Sequence, residues 1–379
     1  MPVGGPAPDA APYGAHAPAR SGPDAPSRRA TLGHAVHAVL RAPQTGLVAV
    51  LILLGAVLTA LAGSHVDALS GATVNNFLNA HTLIQLATDA SAFAIMGVGA
   101  TIVIIAGGID LSVGAIYALS GVTMAMTLRA AGPLSPTSEV LLGLGTCLAV
   151  SLLCGLANGG MVIGLGVHPF IVTLGTMWML RGLAFVTSHA ESILVPASLT
   201  HVAQASLGLP ATLYPVPFLT MLVVTACGAV YLTRTVMGRR IFAVGGNPEA
   251  ARFSGLNVSR IRLGVYVLSA LTAGVAAFLG SSFYGSSSSS DGNGYELYVI
   301  AAAVVGGASL AGGKGSAVSA TLGAVLIVLV RQAIRTLHLD QNYEWIIIGG
   351  AMILAVVLDQ GGTRLLTRRL SAIGNRGTT

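Results

Sequence analysis

Charged side chains are scarce in this chain of 379 residues, making up 8% of it against 54% hydrophobic residues. A soluble globular domain carries about 25% charged residues, so this composition excludes a water-covered surface over most of the chain. Lysine is almost missing, because Lys314 is the single one. The three cysteines, Cys147, Cys154 and Cys227, lie in apolar runs without metal-ligand spacing, which favours packing over a metal site.

Long apolar runs fill most of the chain. A membrane-crossing helix needs about 20 apolar residues, and the runs predict ten such spans. The predicted spans cover residues 46–63, 84–106, 109–129, 140–163, 169–187, 212–233, 261–283, 296–312, 316–334 and 343–359. We therefore predict an all-α integral membrane protein of about ten transmembrane helices, located as a multi-pass protein in the inner membrane.

The basic residues predict the orientation of these spans. Most arginines, and Lys314, fall in segments on the same side as the two termini, and such residues accumulate in cytoplasmic loops. Both termini are therefore predicted to be cytoplasmic. The same placement explains the net charge of +6 by membrane topology, so we expect lipid and no nucleic acid as a partner.

Composition divides the chain into three parts. Residues 1–45 are rich in proline, alanine and glycine without apolar periodicity, which predicts a disordered cytoplasmic tail. Residues 46–360 form the predicted transmembrane domain, whose longest inside loop is 234–262. Residues 361–379 are a short basic cytoplasmic tail.

The inside loop contains a short helix with both ends specified. An asparagine in the N-cap position, a proline at the first helical position and a glycine stop all favour it. A helix of two turns does not persist alone in water, so it must dock on its own membrane domain or on a second protein. Its residues are Asn247, Pro248, Glu249, Ala250, Ala251, Arg252, Phe253, Ser254 and Gly255.

Two glycine-rich segments, 106–112 and 311–316, resemble each other and each joins two predicted spans. The likeness arises by chance or from duplicated halves, which are common in transporters. The candidate helix-end residues are Gly107, Gly108, Asp110, Ser112 and Glu296. Asp110 also suits a capping role for the next helix.

Polar and aromatic side chains inside spans are candidates for a translocation pathway, although each is also explained by packing. An ionisable group at a helix centre costs about 2.5–3.5 kcal/mol, which singles out Asp89. Arg181 and Glu296 are predicted at outer helix ends, where a long side chain reaches water at little cost; facing a partner protein and lining the pathway are equal alternatives for them. The pathway candidates are Asp89, Asn158, Thr173, Thr176, Trp178 and Tyr298.

Four stretches resemble the ribose-type family of ABC sugar permeases. They are GGIDLSVG at 107–114; NG at 158–159, PFIVTLGT at 169–176 and RG at 181–182; GR at 238–239, AVGGN at 243–247 and AARFSG at 250–255; and GYEL at 294–297, GGASL at 306–310 and GG at 312–313. The departures are the long tail at 1–45, His168 where a second proline is commoner, and the serine run 286–290, expected in an outside loop.

The resemblance implies a permease subunit that carries no cofactor of its own. It implies that 247–255 is the coupling helix of an importer, seated in a cleft of a separate ABC ATPase that binds ATP and Mg. It further implies a periplasmic sugar-binding protein as a partner and a dimer with a second copy or a sister permease. The sugar stays open, because such importers select mainly at the binding protein.

Two other classes compete with a permease. An ion-coupled secondary sugar carrier needs several mid-span carboxylates or broken helices around an ion site, and only Asp89 is plainly mid-span. A membrane enzyme needs a clustered nucleophile, base or metal set, and the nine histidines are scattered. The segment 307–316 comes near a phosphate-binding loop but breaks its spacing. We therefore predict no catalytic residues.

Overall fold

The computed structural model describes residues 43–66, 71–210 and 213–351, together with positions 5, 353 and 357. The chain divides into a unit of residues 1–42 and a unit of residues 43–379, and the elements below belong to the second. Its helices are α1 (Pro43–Leu61), α2 (Ala80–Ile105), α3 (Val113–Ala131), α4 (Pro136–Gly164), α5 (Pro169–Ser188), α6 (Ala197–Ala203), α7 (Val216–Arg234), α8 (Val236–Gly246), α9 (Pro248–Phe253), α10 (Val258–Tyr284), α11 (Tyr295–Val305) and α12 (Ala317–Thr336).

Strands are short and pair only in twos within the described residues. β1 (Ser64–Val66) and β2 (Thr73–Asn75) are antiparallel neighbours, and β3 (Ile193–Leu194) pairs with β4 (Ser286–Ser287). The helices carry the architecture, so the predicted all-α membrane fold is confirmed.

Eight helices in the described part of the chain are long and apolar enough to cross a membrane: α1, α2, α3, α4, α5, α7, α10 and α12. They match the predicted spans, although α1 begins at Pro43, inside the predicted tail. The span predicted at 343–359 is helical over 343–351, and most of its remainder lies outside the described residues. So do the tail 361–379 and nearly all of 1–45.

The span predicted at 296–312 is wrong as a full crossing. α11 has 11 residues, which is about 17 Å of helix against a hydrocarbon core of about 30 Å. Residues 306–316 then run without helix, because glycine, which counts as neutral in an apolar pattern, is a poor helix former. Non-helical backbone at membrane depth is tolerated where protein buries it.

The core lies around α2 and α10. From Phe93 to Ile105 every residue of α2 is buried. α10 meets α4 through small residues, since a Cβ on Gly155 would lie 2.9 Å from the Cβ of Ala270. Such close contact is typical of membrane helices. The buried Cys147 and Cys154 lie on α4, as the packing interpretation expects.

Candidate functional site

The short helix predicted in the longest inside loop is present as α9, with the predicted caps. The Asn247 side-chain oxygen accepts hydrogen bonds from the N–H groups of Glu249 and Ala250, at 3.0 and 2.9 Å. Pro248 occupies the first turn, where a missing N–H costs nothing. Gly255 has a φ of +80°, the left-handed conformation that ends a helix without strain in glycine.

One face of α9 packs on its own domain and the other is free. Ala251 is buried in an apolar cluster that includes Val244 and Val258. Phe253 is 91% exposed, and Arg252 beside it is exposed as well. α9 therefore rests on the membrane domain and still presents an aromatic side chain. Leaving such a side chain in water forgoes about 1.5–3 kcal/mol of burial, which favours a protein partner at this face.

A tight contact, the glycine junction, lies just before α9 and consists of Ile105, Gly107, Gly245, Gly312 and Gly313. The Gly313 N–H donates a hydrogen bond of 2.8 Å to the Ile105 carbonyl oxygen. A Cβ on Gly245 would collide with that oxygen and lie 2.8 Å from the Gly313 nitrogen. The chain entering α9 is thus wedged between the segments that follow α2 and α11.

The two similar glycine-rich segments meet in this junction. A Cβ on Gly312 would lie 3.2 Å from the Gly107 Cα and 2.6 Å from the Gly245 carbonyl oxygen. Backbones that approach so closely leave no room for side chains. This contact gives a packing reason for the glycines that segments 106–112 and 311–316 share.

Asp110 is 2% exposed and hydrogen-bonded through both carboxylate oxygens. Its Oδ1 accepts hydrogen bonds from the Ser112 N–H at 3.0 Å and the Ser112 hydroxyl at 2.6 Å. Its Oδ2 accepts one from the Ser269 hydroxyl at 2.9 Å, and the Asn158 amide donates to Ser112 Oγ at 2.7 Å. These bonds tie the segment before α3 to α4 and α10, and they offset the cost of burying the carboxylate.

Three further pathway candidates lie on α5. The Thr173 hydroxyl donates to the Ile109 carbonyl at 3.2 Å, and the Thr176 hydroxyl donates to the Thr173 carbonyl at 3.2 Å. Trp178 is 68% exposed. In this conformation the two threonine hydroxyls donate hydrogen bonds to backbone carbonyls, while the Trp178 side chain is exposed on the surface of the protein.

Aromatic side chains converge at the opposite side of the core, and we name Phe93, Tyr117, Tyr295, Tyr298 and Trp345 the aromatic cluster. The ring centroid of Tyr295 lies 4.7 Å from that of Phe93 and 5.6 Å from that of Tyr117. Tyr298 lies 5.4 Å from Phe93 and 5.8 Å from Trp345. Offset aromatic contacts of this kind are favourable.

Two ion pairs border the aromatic cluster. Arg331 Nε lies 2.9 Å from Glu344 Oε1, and its guanidinium carbon lies 5.3 Å from the centre of the Tyr298 ring. The Tyr298 hydroxyl donates to Glu344 Oε1 at 2.7 Å. Asp89 pairs with Arg335 at 3.2 Å. Asp89 and Tyr298 thus lie in one region, away from the other four pathway candidates.

Of the placements expected for Arg181, the one with its head in water is wrong. Arg181 is 9% exposed and lies 12 residues into α5, about 18 Å along the helix. Its guanidinium donates to the backbone carbonyls of Ser289, Asp291 and Gly292, the last at 3.0 Å. The serine run expected in an outside loop therefore folds inward, with Ser289 itself buried.

Glu296 lies in the first turn of α11, where a carboxylate is favoured by the helix dipole. Its Oε2 is buried and has no hydrogen-bond partner within the described residues. The charge of Arg181 acts on this carboxylate. Glu296 therefore belongs with the inward-folded segment 285–294 that Arg181 holds.

Sequence reasoning missed several residues of the aromatic region, namely Phe93, Tyr117, Tyr284, Tyr295, Arg331 and Glu344. They come from distant parts of the chain and share no spacing. One signal was available: the chain has nine tyrosines, so each one inside a span is unusual enough to note.

The apolar helices, the exposed face of α9 and the buried polar interior define a polytopic membrane permease. The chain belongs to the family described as "Branched-chain amino acid transport system / permease component", which matches residues 82–356. It is therefore a multi-pass transport subunit of the inner membrane rather than an enzyme, and this family does not support the ion-coupled alternative.

Curated relatives align over most of the chain. The ribose import permease protein of Escherichia coli K12 is 35% identical over 75% of this chain and 87% of its own length. The D-allose transport system permease protein of the same strain is 34% identical over 75% and 85%. The fructose import permease protein of Rhizobium meliloti is 33% identical over 75% and 79%. No solved structure matches this chain.

Proposed function

We propose that this chain is the membrane-spanning subunit of a binding-protein-dependent ABC importer that moves a monosaccharide or a related polyol inward. The relatives named above are import or transport permeases for ribose, D-allose and fructose, which supports a sugar as the cargo. ATP and Mg bind to a separate ATPase subunit, and this chain binds no cofactor.

The exposed face of α9 is the observation that carries this proposal. Phe253 is 91% exposed on a helix whose opposite face is anchored by Ala251. Such a helix transmits force, because it is fixed to the domain and available to a partner. Residues Asn247 to Gly255 form the coupling helix, and the glycine junction passes its displacement to α2 and to the segment after α11.

The other partners follow from the same arrangement. The loop 234–262 and both termini face the cytoplasm and the ATPase, while the sugar-binding protein docks at the opposite side. The domain layout is a tail that ends where α1 begins at Pro43, the permease domain up to residue 360 and a basic tail at 361–379. Exposed apolar side chains on α4, α5 and α7 face lipid and a second permease, either a copy or a sister chain.

We assign Asp89 and Tyr298 to the translocation pathway, because Tyr298 packs in the aromatic cluster and Asp89 forms one of the two ion pairs that border it. Asn158, Thr173 and Thr176 form hydrogen bonds at the inner side and would meet the cargo only after those bonds open. Trp178 faces outward on α5. Gly107, Gly108, Asp110, Ser112 and Glu296 shape the helix ends around this pathway.

Uptake in proteoliposomes tests the proposal. Vesicles containing this chain with its ATPase and binding protein should take up at least one of D-ribose, D-allose and D-fructose when ATP is supplied. A matched preparation with a hydrolysis-deficient ATPase should take up none. Uptake driven by a proton or sodium gradient without the ATPase would overturn the proposal, and uptake of L-leucine alone would overturn the assignment to sugars.

A further inference from the structure

A small cavity of about 100 Å³ opens beside the aromatic cluster. It is lined by Tyr117, Gly280, Tyr284, Ser286, Asp291 and Tyr295. One water needs about 10–15 Å³ of such volume, so the cavity holds several waters or part of a small solute. Tyr117 is 5% exposed and forms an inner wall, whereas Tyr284 is 66% exposed and stands at the mouth.

The three tyrosine hydroxyls of this wall are available to a ligand, as far as the described residues extend. None of the hydroxyls of Tyr117, Tyr284 and Tyr295 makes a hydrogen bond to another described residue. Each can therefore donate one hydrogen bond and accept others from a ligand. The Asp291 carboxylate accepts one bond, from the Ser288 N–H at 2.8 Å.

A second cavity of about 30 Å³ adjoins the first, because Tyr117, Gly280, Tyr284 and Tyr295 line both. Thr88, Asp89 and Ser91 from α2 complete its wall. The two cavities are thus neighbours, and together they make a path of aromatic faces and hydroxyl groups from Tyr284 to α2 that the shared tyrosines divide.

Charge balance around this path favours a neutral ligand. Asp89 is paired with Arg335 at 3.2 Å. The Asp291 carboxylate interacts electrostatically with Arg181. The Arg181 guanidinium also donates a hydrogen bond to the Asp291 backbone carbonyl. A cation would need an uncompensated carboxylate, and both carboxylates of the lining have an arginine close by.

We infer that this cavity is a subsite that receives the sugar from the binding protein, and the inference rests on the proposed function. A neutral polyol offers hydroxyls to the three tyrosines and to Asp291, and its apolar C–H faces to the rings. Pockets of this kind are mainly aromatic with a few placed polar groups. Arg181 is a positioning residue, since it holds the loop that contributes Ser286 and Asp291.

The test is the number of sugar molecules moved per ATP hydrolysed, in proteoliposomes with the ATPase and the binding protein. The probe is whichever of D-ribose, D-allose and D-fructose the wild type transports fastest. The double variant Tyr117→Phe and Tyr295→Phe keeps both rings and removes both hydroxyls. Its ratio should fall about tenfold, as expected for losing two hydrogen bonds of ordinary strength, while ATP hydrolysis stays within about twofold.

Tyr343→Phe is the matched control, because Tyr343 is 53% exposed and lies outside the cavity, and it should leave the ratio unchanged. An unchanged ratio in the double variant would overturn the subsite. So would an equal fall in uptake and ATP hydrolysis, which indicates a structural role. Failure of the wild type to take up any of the three sugars with ATP would instead contradict the proposed function itself.

Discussion

The glycine junction and the aromatic cluster lie on opposite sides of one helical core, and they are built in contrasting ways. At the glycine junction, backbones touch directly and a single methyl group on Gly245 would collide with the Ile105 carbonyl. At the aromatic cluster, large rings leave cavities of about 100 and 30 Å³ between them. One region has no spare volume, and the other has volume lined by tyrosine hydroxyls that make no hydrogen bond to another described residue.

Under the proposed function, this difference corresponds to two tasks in one transporter. A junction without free volume transmits displacement, because packed backbones cannot absorb it. A region with cavities and aromatic faces can receive a solute and change shape around it. The half-length α11 joins the two, since Tyr295 at its start belongs to the cluster and Gly312 and Gly313 beyond its end belong to the junction.

The largest expected effect concerns which side of the membrane each region faces. A reporter that is active only in the cytoplasm should be active when fused after Gly255 or after Thr379. Fused after Leu207, it should be silent, because one crossing, α7, separates that position from the coupling helix. Activity after Leu207 would place both regions on the same side and break the comparison.

The next effect concerns the lack of free volume at the junction. Gly245→Val should lower ATP-dependent uptake about a hundredfold, since overpacking against backbone costs about 1–3 kcal/mol. The matched control is Gly246→Val, because a Cβ there meets nothing within 4 Å. Uptake is compared at equal protein level in the membrane. Equal uptake by the two variants would show that the junction is not tight in the working transporter.

A smaller effect on uptake is expected from the segment 285–294, which Arg181 holds next to the aromatic cluster. Arg181→Lys keeps the charge but replaces a planar fork by a compact ammonium, so at least one of the three bonds to the loop is lost. One bond to a charged group is worth about 1.5–3 kcal/mol, and uptake should fall about tenfold. The matched control is Arg129→Lys, at the exposed end of α3, which should leave uptake unchanged. Unchanged uptake by the Arg181→Lys variant would show that the loop does not belong to the pathway.

The sequence was sufficient where local signals decide the structure. Asn247, Pro248 and Gly255 specify α9 by short-range chemistry, so its ends were predicted correctly. The eight full-length spans follow from apolar length alone.

Local signals failed where distant residues meet. The half-length α11 was read as a full span because the glycines after it are neutral in an apolar count. The burial of Arg181 was not predicted, because its acceptors are carbonyls of a loop more than 100 positions away. Tyr117 and Tyr295 gave no common pattern, since only the folded chain brings them together.

The central claim is that α9 couples this permease to an ATPase, and capture of the ATPase tests it most directly. Phe253→Asp places an unpaired charge in an interface, and anchors of this type lose 2 kcal/mol or more, which is about thirtyfold in affinity. At matched membrane level the variant should retain little ATPase and transport poorly. The matched control is Leu207→Asp. Leu207 is also apolar and is 63% exposed, but it lies beyond the other end of α7, so this variant should retain the ATPase fully. Equal ATPase recovery by the wild type and Phe253→Asp, together with undiminished uptake, would contradict the account.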